Sequence, residues 1–129
     1  MTENFNTEAV HDKAMLLSQN AFVLIARGRG AEALPLNEQA FELEQQAALS
    51  LLDRKDLEPT RSILFRSAAV IARDCFKYED AEKMILLGLA GNPPEDVEEE
   101  LREVYATLKK HLLPKKTHKL SKQKAVLSA

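Results

Sequence analysis

The chain has no tryptophan, one cysteine, four glycines and five prolines in 129 residues. Each scarcity excludes something. With Cys75 alone, no intrachain disulfide can form, which fits a reducing compartment. So few turn-formers leave little punctuation for a many-stranded sheet, and no stretch alternates apolar and polar residues as a half-buried strand does. No apolar run approaches the roughly 18 residues that span a bilayer. The opening residues, MTENFNTEAVHDK, lack the basic flank and apolar core of a signal peptide. The expectation is a soluble, cytoplasmic protein that does not engage a membrane.

Apolar residues make up 45% of the chain and are mostly aliphatic, with only five Phe and two Tyr. Together with abundant Ala, Leu, Glu, Gln and Lys, this composition favours helix over strand. The expected fold is all-α, in one domain covering residues 1–113. Net charge is −2, but all 20 acids lie before residue 113, while residues 114–129 hold five lysines and no acid. A basic tail, residues 114–129, is expected to be disordered.

Periodicity predicts five helices. The first runs from about Glu8 to Arg27 with Asn6 or Thr7 as N-cap, and has Val10, Ala14, Leu17, Ala21 and Leu24 as its apolar stripe. Met15, Phe22 and Ile25 widen that stripe. The RGRG segment, Arg27 to Gly30, ends it. A long second helix ends near Leu52, and Pro35 either fixes its start or kinks it. The third runs from Pro59 or Thr60 to about Phe76, the fourth from about Glu79 to Leu89, and the fifth from about Pro94 or Glu95 to Leu112, stopped by Pro114. Acids in the first turns of the fifth helix and Lys109, Lys110 and His111 in its last turn complement the helix dipole.

Two helical hairpins align with one another. Each ends its first helix in a tight turn and then places small residues seven apart, Ala33 and Ala40 in one, Ala81 and Gly88 in the other. The second, with Phe65, Ala68, Ala69, Ala72, Tyr78, Ala81, Ile85, Gly88 and Pro93, resembles the tetratricopeptide repeat (TPR) family. The first departs from the pattern: Asn37 stands where a bulky apolar residue is expected, and Pro35 is foreign. Ala33 and Ala81 are 48 residues apart, against a family period of about 34. The resemblance implies antiparallel hairpins in a right-handed array, with the fifth helix as a cap.

Catalytic and metal chemistry has little footing. Glu8 and His11 share the spacing of a di-iron ligand pair, but no second Glu-x-x-His exists. His11 is read as a surface residue. Glu42, Glu44 and Glu98–Glu100 are read as solvated helix faces. Cys75 falls on an apolar stripe and reads as a small buried hydrophobe. No enzyme, no metal and no cofactor is expected.

The resemblance implies a partner surface built from the first helix of each hairpin. Its candidate residues are Met15, Ser18, Phe22, Ile25 and Ala26 in one unit, and Ile63, Arg66, Val70, Arg73 and Asp74 in the other. Arg66 and Arg73, seven apart, project from nearly one face and suit carboxylate recognition. Val70 replaces the asparagine of the family's chaperone-binding clamp, so that role is not implied. The expected function is a non-catalytic module that binds a peptide, a partner helix or its own copy as a homodimer. The alternative is a nucleic-acid-associated regulator using Lys115, Lys116, Lys119, Lys122 and Lys124 to neutralise phosphates.

Overall fold

The computed structural model describes the backbone of residues 5–128 and the side chains of residues 5–112. Five α-helices and one short 3-10 turn account for the order of elements: α1 (Thr7–Ala26), α2 (Gly30–Leu49), the turn Lys55–Leu57, α3 (Thr60–Asp74), α4 (Tyr78–Leu89) and α5 (Glu95–Ser128). The described residues contain no strand. The fold is all-α, as the composition predicts.

Asn6 caps α1, its side chain accepting from the Ala9 amide. At the other end, Gly28 adopts φ 75°, and Arg29 donates back to the Leu24 carbonyl. That left-handed position is what glycine supplies cheaply. Gly30 does not end α1; it is the first residue of α2. The α3–α4 turn repeats this geometry, with Lys77 donating to the Ala72 carbonyl. There the left-handed residue is Phe76, at φ 65° and 68% exposed. A bulky side chain at positive φ is a steric outlier. α3 therefore ends at Asp74, two residues before the predicted end.

Pro35 lies inside α2, five residues after its start, and α2 ends at Leu49 rather than near Leu52. Near the helix start a proline forfeits only one ladder bond, the one its missing N–H would have donated to Ala31. α5 does not stop at Pro114: its helical backbone runs to Ser128. The Lys, Leu, Gln and Ala of that segment are good helix formers. Their side chains, and with them the basic-tail residues Lys115 to Lys124, lie outside the described ones.

α3 is the centre of the packing, with α2, α4 and α5 all against it, whereas α1 packs mainly along α2. Small residues line the crossings: Ala33, Ala40, Ala47, Ala68, Ala69, Ala72 and Ala81 are all buried. Larger side chains fill the space between them, chiefly Phe41, Phe65, Met84, Ile85, Leu101 and Leu108. Asn37 is buried too, so its place on the core side is kept although its type is unexpected. Cys75 is buried, as its register predicts, and burial pushes its thiol above the ordinary range.

Gly88 sits where three helices meet. A Cβ added there would lie 3.1 Å from Phe65 Cβ and 3.2 Å from Leu101 Cδ1. The helix-propensity cost of about 1 kcal/mol for an internal glycine is thus offset by an approach that a side chain would permit only if Phe65 or Leu101 shifted. Gly88→Leu is expected to destabilise the protein by about 1–3 kcal/mol through overpacking. Urea unfolding monitored by circular dichroism measures this, and a variant within a few tenths of the parent contradicts the crossing.

Candidate functional site

A cleft of about 400 Å³ lies between α1, α3 and α5, lined among others by Met15, Ser18, Arg66, Ser67, Val70, Glu103 and Val104. Seven residues further along the same helices a second hollow, of about 550 Å³, is lined by Ile25, Arg73, Asp74, Phe76, Tyr78, Thr107, Lys110 and His111. The two hollows succeed one another along one groove. α3 and α5 run parallel on one side of it, since Arg66 bonds Glu100 (2.9 Å) and Arg73 bonds Thr107 (3.2 Å), each pair 34 residues apart. Glu58 and the Asn92 amide, also 34 apart, meet at 2.9 Å. The α1-to-α3 offset is 14 residues longer.

Of the residues anticipated from sequence, the groove brings together Met15, Ser18, Ile25, Arg66, Val70, Arg73 and Asp74. Phe22, one turn from Ile25, is 73% exposed. The two arginines are already engaged. Arg66 pairs with Glu100, and Arg73 with Asp74 at 3.3 Å as well as with Thr107. Residues on α5 (Glu103, Val104, Thr107, Lys110 and His111) complete the groove, as does Phe76. The sequence expectation omits these residues because it treats α5 as a cap. The signal was present as the 34-residue step from Pro59 to Pro93.

Beneath the groove lies a polar link the sequence reading missed. Glu44 is fully buried, and His11 Nδ1 lies 2.9 and 2.8 Å from its two carboxylate oxygens. Glu44 is therefore not on a solvated face, and His11 is half-buried rather than on the surface. The reason is register. Glu44 falls between Ala40 and Ala47 on the buried stripe of α2 and reaches His11 on α1. Burial pushes the Glu44 carboxyl above the ordinary range, while His11, and then Ser67, pull it part of the way back.

A second buried cluster fastens the far end of α3. Arg61 is 1% exposed, donates from Nε to the Leu52 carbonyl at 3.0 Å, and lies 5.0 Å over the Phe65 ring. Glu58 accepts from the Ser62 amide (2.9 Å) and hydroxyl (2.6 Å) and from Asn92. Desolvation pushes the Glu58 carboxyl up, but the Ser62 and Asn92 bonds and the Arg61 charge outweigh it and hold the group below its usual range. Gly91 leaves room for the Arg61 guanidinium, because a Cβ there would collide with Nη1.

Among the described residues no group of three or more His, Cys, Asp or Glu side chains could hold a metal ion. No helix among them is long and apolar enough to cross a membrane. Set against known proteins, the chain matches no family model, no curated protein and no solved structure.

The His11–Glu44 pair makes a clear expectation. His11→Ala leaves a buried carboxylate without its main partner and is expected to cost about 2–4 kcal/mol at pH 7–8. Glu44 is raised in the folded state, so its protonated form is the better tolerated one. The penalty is therefore least below the ordinary carboxylate pKa and grows as pH rises through the raised value. Thermal unfolding across pH 4–8 tests this, and a penalty that does not depend on pH contradicts it.

Proposed function

We propose that the chain is a non-catalytic protein–protein interaction module, a divergent tetratricopeptide-like array that holds a partner helix or peptide in the groove between α1, α3 and α5. One observation carries the reading: the α3–α5 contacts recur at a 34-residue offset and align a row of half-exposed side chains from three helices. That offset is the family's period. On this reading α5 is the first helix of a further unit rather than only a cap.

The groove's chemistry describes the partner. Its floor is apolar at Met15, Val70 and Val104, and its far end offers Ile25 at 50% exposure and Phe76 at 68%. Exposed aromatic and aliphatic side chains beside a cleft mark contact surfaces more often than isolated ones do. Arg66 and Arg73 hold α5 in place, so they act on a partner as a polar rim and not as free carboxylate hooks. Phe76 supports the same reading, since strain tolerated at an exposed aromatic signals a role outside the fold's own packing. A cytoplasmic setting belongs to this proposal, consistent with a lone buried thiol.

A photo-crosslinking residue at Ser18, in the cleft, and another at Lys83, exposed on α4, test the reading in extracts of the native source. A discrete adduct is expected from position 18 only, and Val70→Arg, which fills the cleft, is expected to abolish it. Equal adducts at both positions, or one indifferent to Val70→Arg, contradict the groove. Phe76→Gly separates fold from function: it is expected to raise stability by about 1 kcal/mol as the left-handed strain is relieved, while weakening capture.

A further inference from the structure

α1 carries apolar residues on two sides. Val10, Ala14, Leu17, Ala21 and Leu24 face α2, and of these Ala14 and Ala21 are fully buried. Leu16 and Val23 lie roughly opposite, about 160° round the helix from Ala14 and Ala21 at 3.6 residues per turn. They are 58% and 43% exposed. The stripe they belong to reads Asp12, Leu16, Gln19 with Asn20, Val23, Arg27, and every member is exposed. Its spacing approximates the seam along which two helices pack side by side.

The order of this stripe is self-complementary. Reversed end to end about a point between Gln19 and Asn20, it places Leu16 on Val23, Gln19 on Asn20 and Asp12 on Arg27. A two-fold interface needs this property, because each residue must suit its counterpart on an identical copy. Within the described residues no ion pair engages either Asp12 or Arg27. A parallel arrangement would instead set Asp12 on Asp12 and Arg27 on Arg27.

We propose that the outer face of α1 pairs antiparallel with the same face of a second copy, with Leu16 and Val23 at the centre and an Asp12–Arg27 ion pair at each end. From Asp12 to Arg27 the seam is about 22 Å long at 1.5 Å per residue. This is a small interface, so the dimer forms reversibly with concentration. The partner is a second copy rather than a different protein because the charge pattern closes on itself and leaves no unmatched group. This face points away from the groove, so the inference stands or falls independently of the reading above.

Sedimentation equilibrium of the full chain tests it. The mass is expected to rise from one chain to two with concentration. Asp12→Arg or Arg27→Asp alone sets like charges opposite each other at both ends and is expected to raise the midpoint about tenfold or more. The double reversal, Asp12→Arg with Arg27→Asp, restores the pairs and is expected to return the midpoint close to that of the parent. Both positions are exposed, and circular dichroism verifies the fold. If a reversal unfolds the chain, Leu16→Gln serves instead, and it too must raise the midpoint. A parent that stays monomeric up to about 1 mM overturns the proposal. So does a dimer indifferent to the single reversals or to Leu16→Gln, or one that the double reversal leaves broken.

Discussion

The contact between α4 and the α3–α5 pair at Gly88 governs how this molecule is assembled. There the backbone of α4 comes within reach of Phe65 Cβ and the Leu101 side chain, and this closeness fixes where three helices stand. The same economy recurs at Ala40, Ala68, Ala72 and Ala81, all fully buried. Small residues at crossings let helices approach closely. They also bury little apolar area each, at about 25 cal/mol per Å². The burden falls on a few large side chains, Phe65, Met84, Ile85, Leu101 and Leu108, which are shared between helices. In such a core most buried polar groups are matched, Glu44 by His11 and Arg61 Nε by the Leu52 carbonyl, but among the described residues Arg61 Nη1 is buried without a hydrogen-bond partner, 4.0 Å from the Glu58 carboxylate.

Two different spacings run through this assembly, and their mismatch produces the groove. α3 and α5 are related by 34 residues and are stitched side to side by Arg66–Glu100 and Arg73–Thr107. α1 and α3 are separated by a 20-residue α2 and a longer connection, where α4 between α3 and α5 has 12 residues. The surplus length keeps α1 packed on α2 and off α3. The gap is bridged by charge and hydrogen bonds, with buried Glu44 reaching His11 and Ser67. An apolar closure would have filled the space that the cleft now occupies. The polar bridge holds α1 at a distance and leaves Met15 and Val70 half-exposed across from each other.

What the sequence revealed follows from this physics. Helix number, the buried face of each helix and the crossing role of Ala81 and Gly88 were legible because they depend on local periodicity and residue size. Glu44 and Arg61 were not, because charged side chains are rarely buried. Yet both occupy core registers: Glu44 between Ala40 and Ala47, Arg61 one turn before Leu64 and Phe65. Whether such a residue is buried depends on a partner far along the chain, His11 or the Leu52 carbonyl. Phe76 was missed for a related reason. The turn needs a left-handed residue, Gly28 supplies it in the first hairpin, and nothing local announces a phenylalanine in the second. The groove was half legible. Its α1 and α3 residues are anticipated, but its α5 side requires seeing that α3 and α5 are related by a 34-residue step.

The same splayed placement explains why α1 has two unlike exposed faces. A helix in the middle of a stacked array is covered on most of its circumference, and its sequence has one polar stripe. α1 packs mainly on α2, so the side toward α3 becomes a groove wall and the residues on the side beyond it, Leu16 and Val23, are exposed among the described residues. A helix face that served only to meet water would carry polar and charged residues throughout. Leu16 and Val23 depart from that rule, while Asp12 and Arg27 at the ends of the stripe keep it. Apolar centre and opposite charges at the ends is the layout of an interface with a defined direction. Random exposure would leave the charges unordered, and an aggregation-prone face would have none. Pairing on this face would set two grooves on the outside of one assembly, so that a partner engaged through one could be engaged twice without any change in the groove itself.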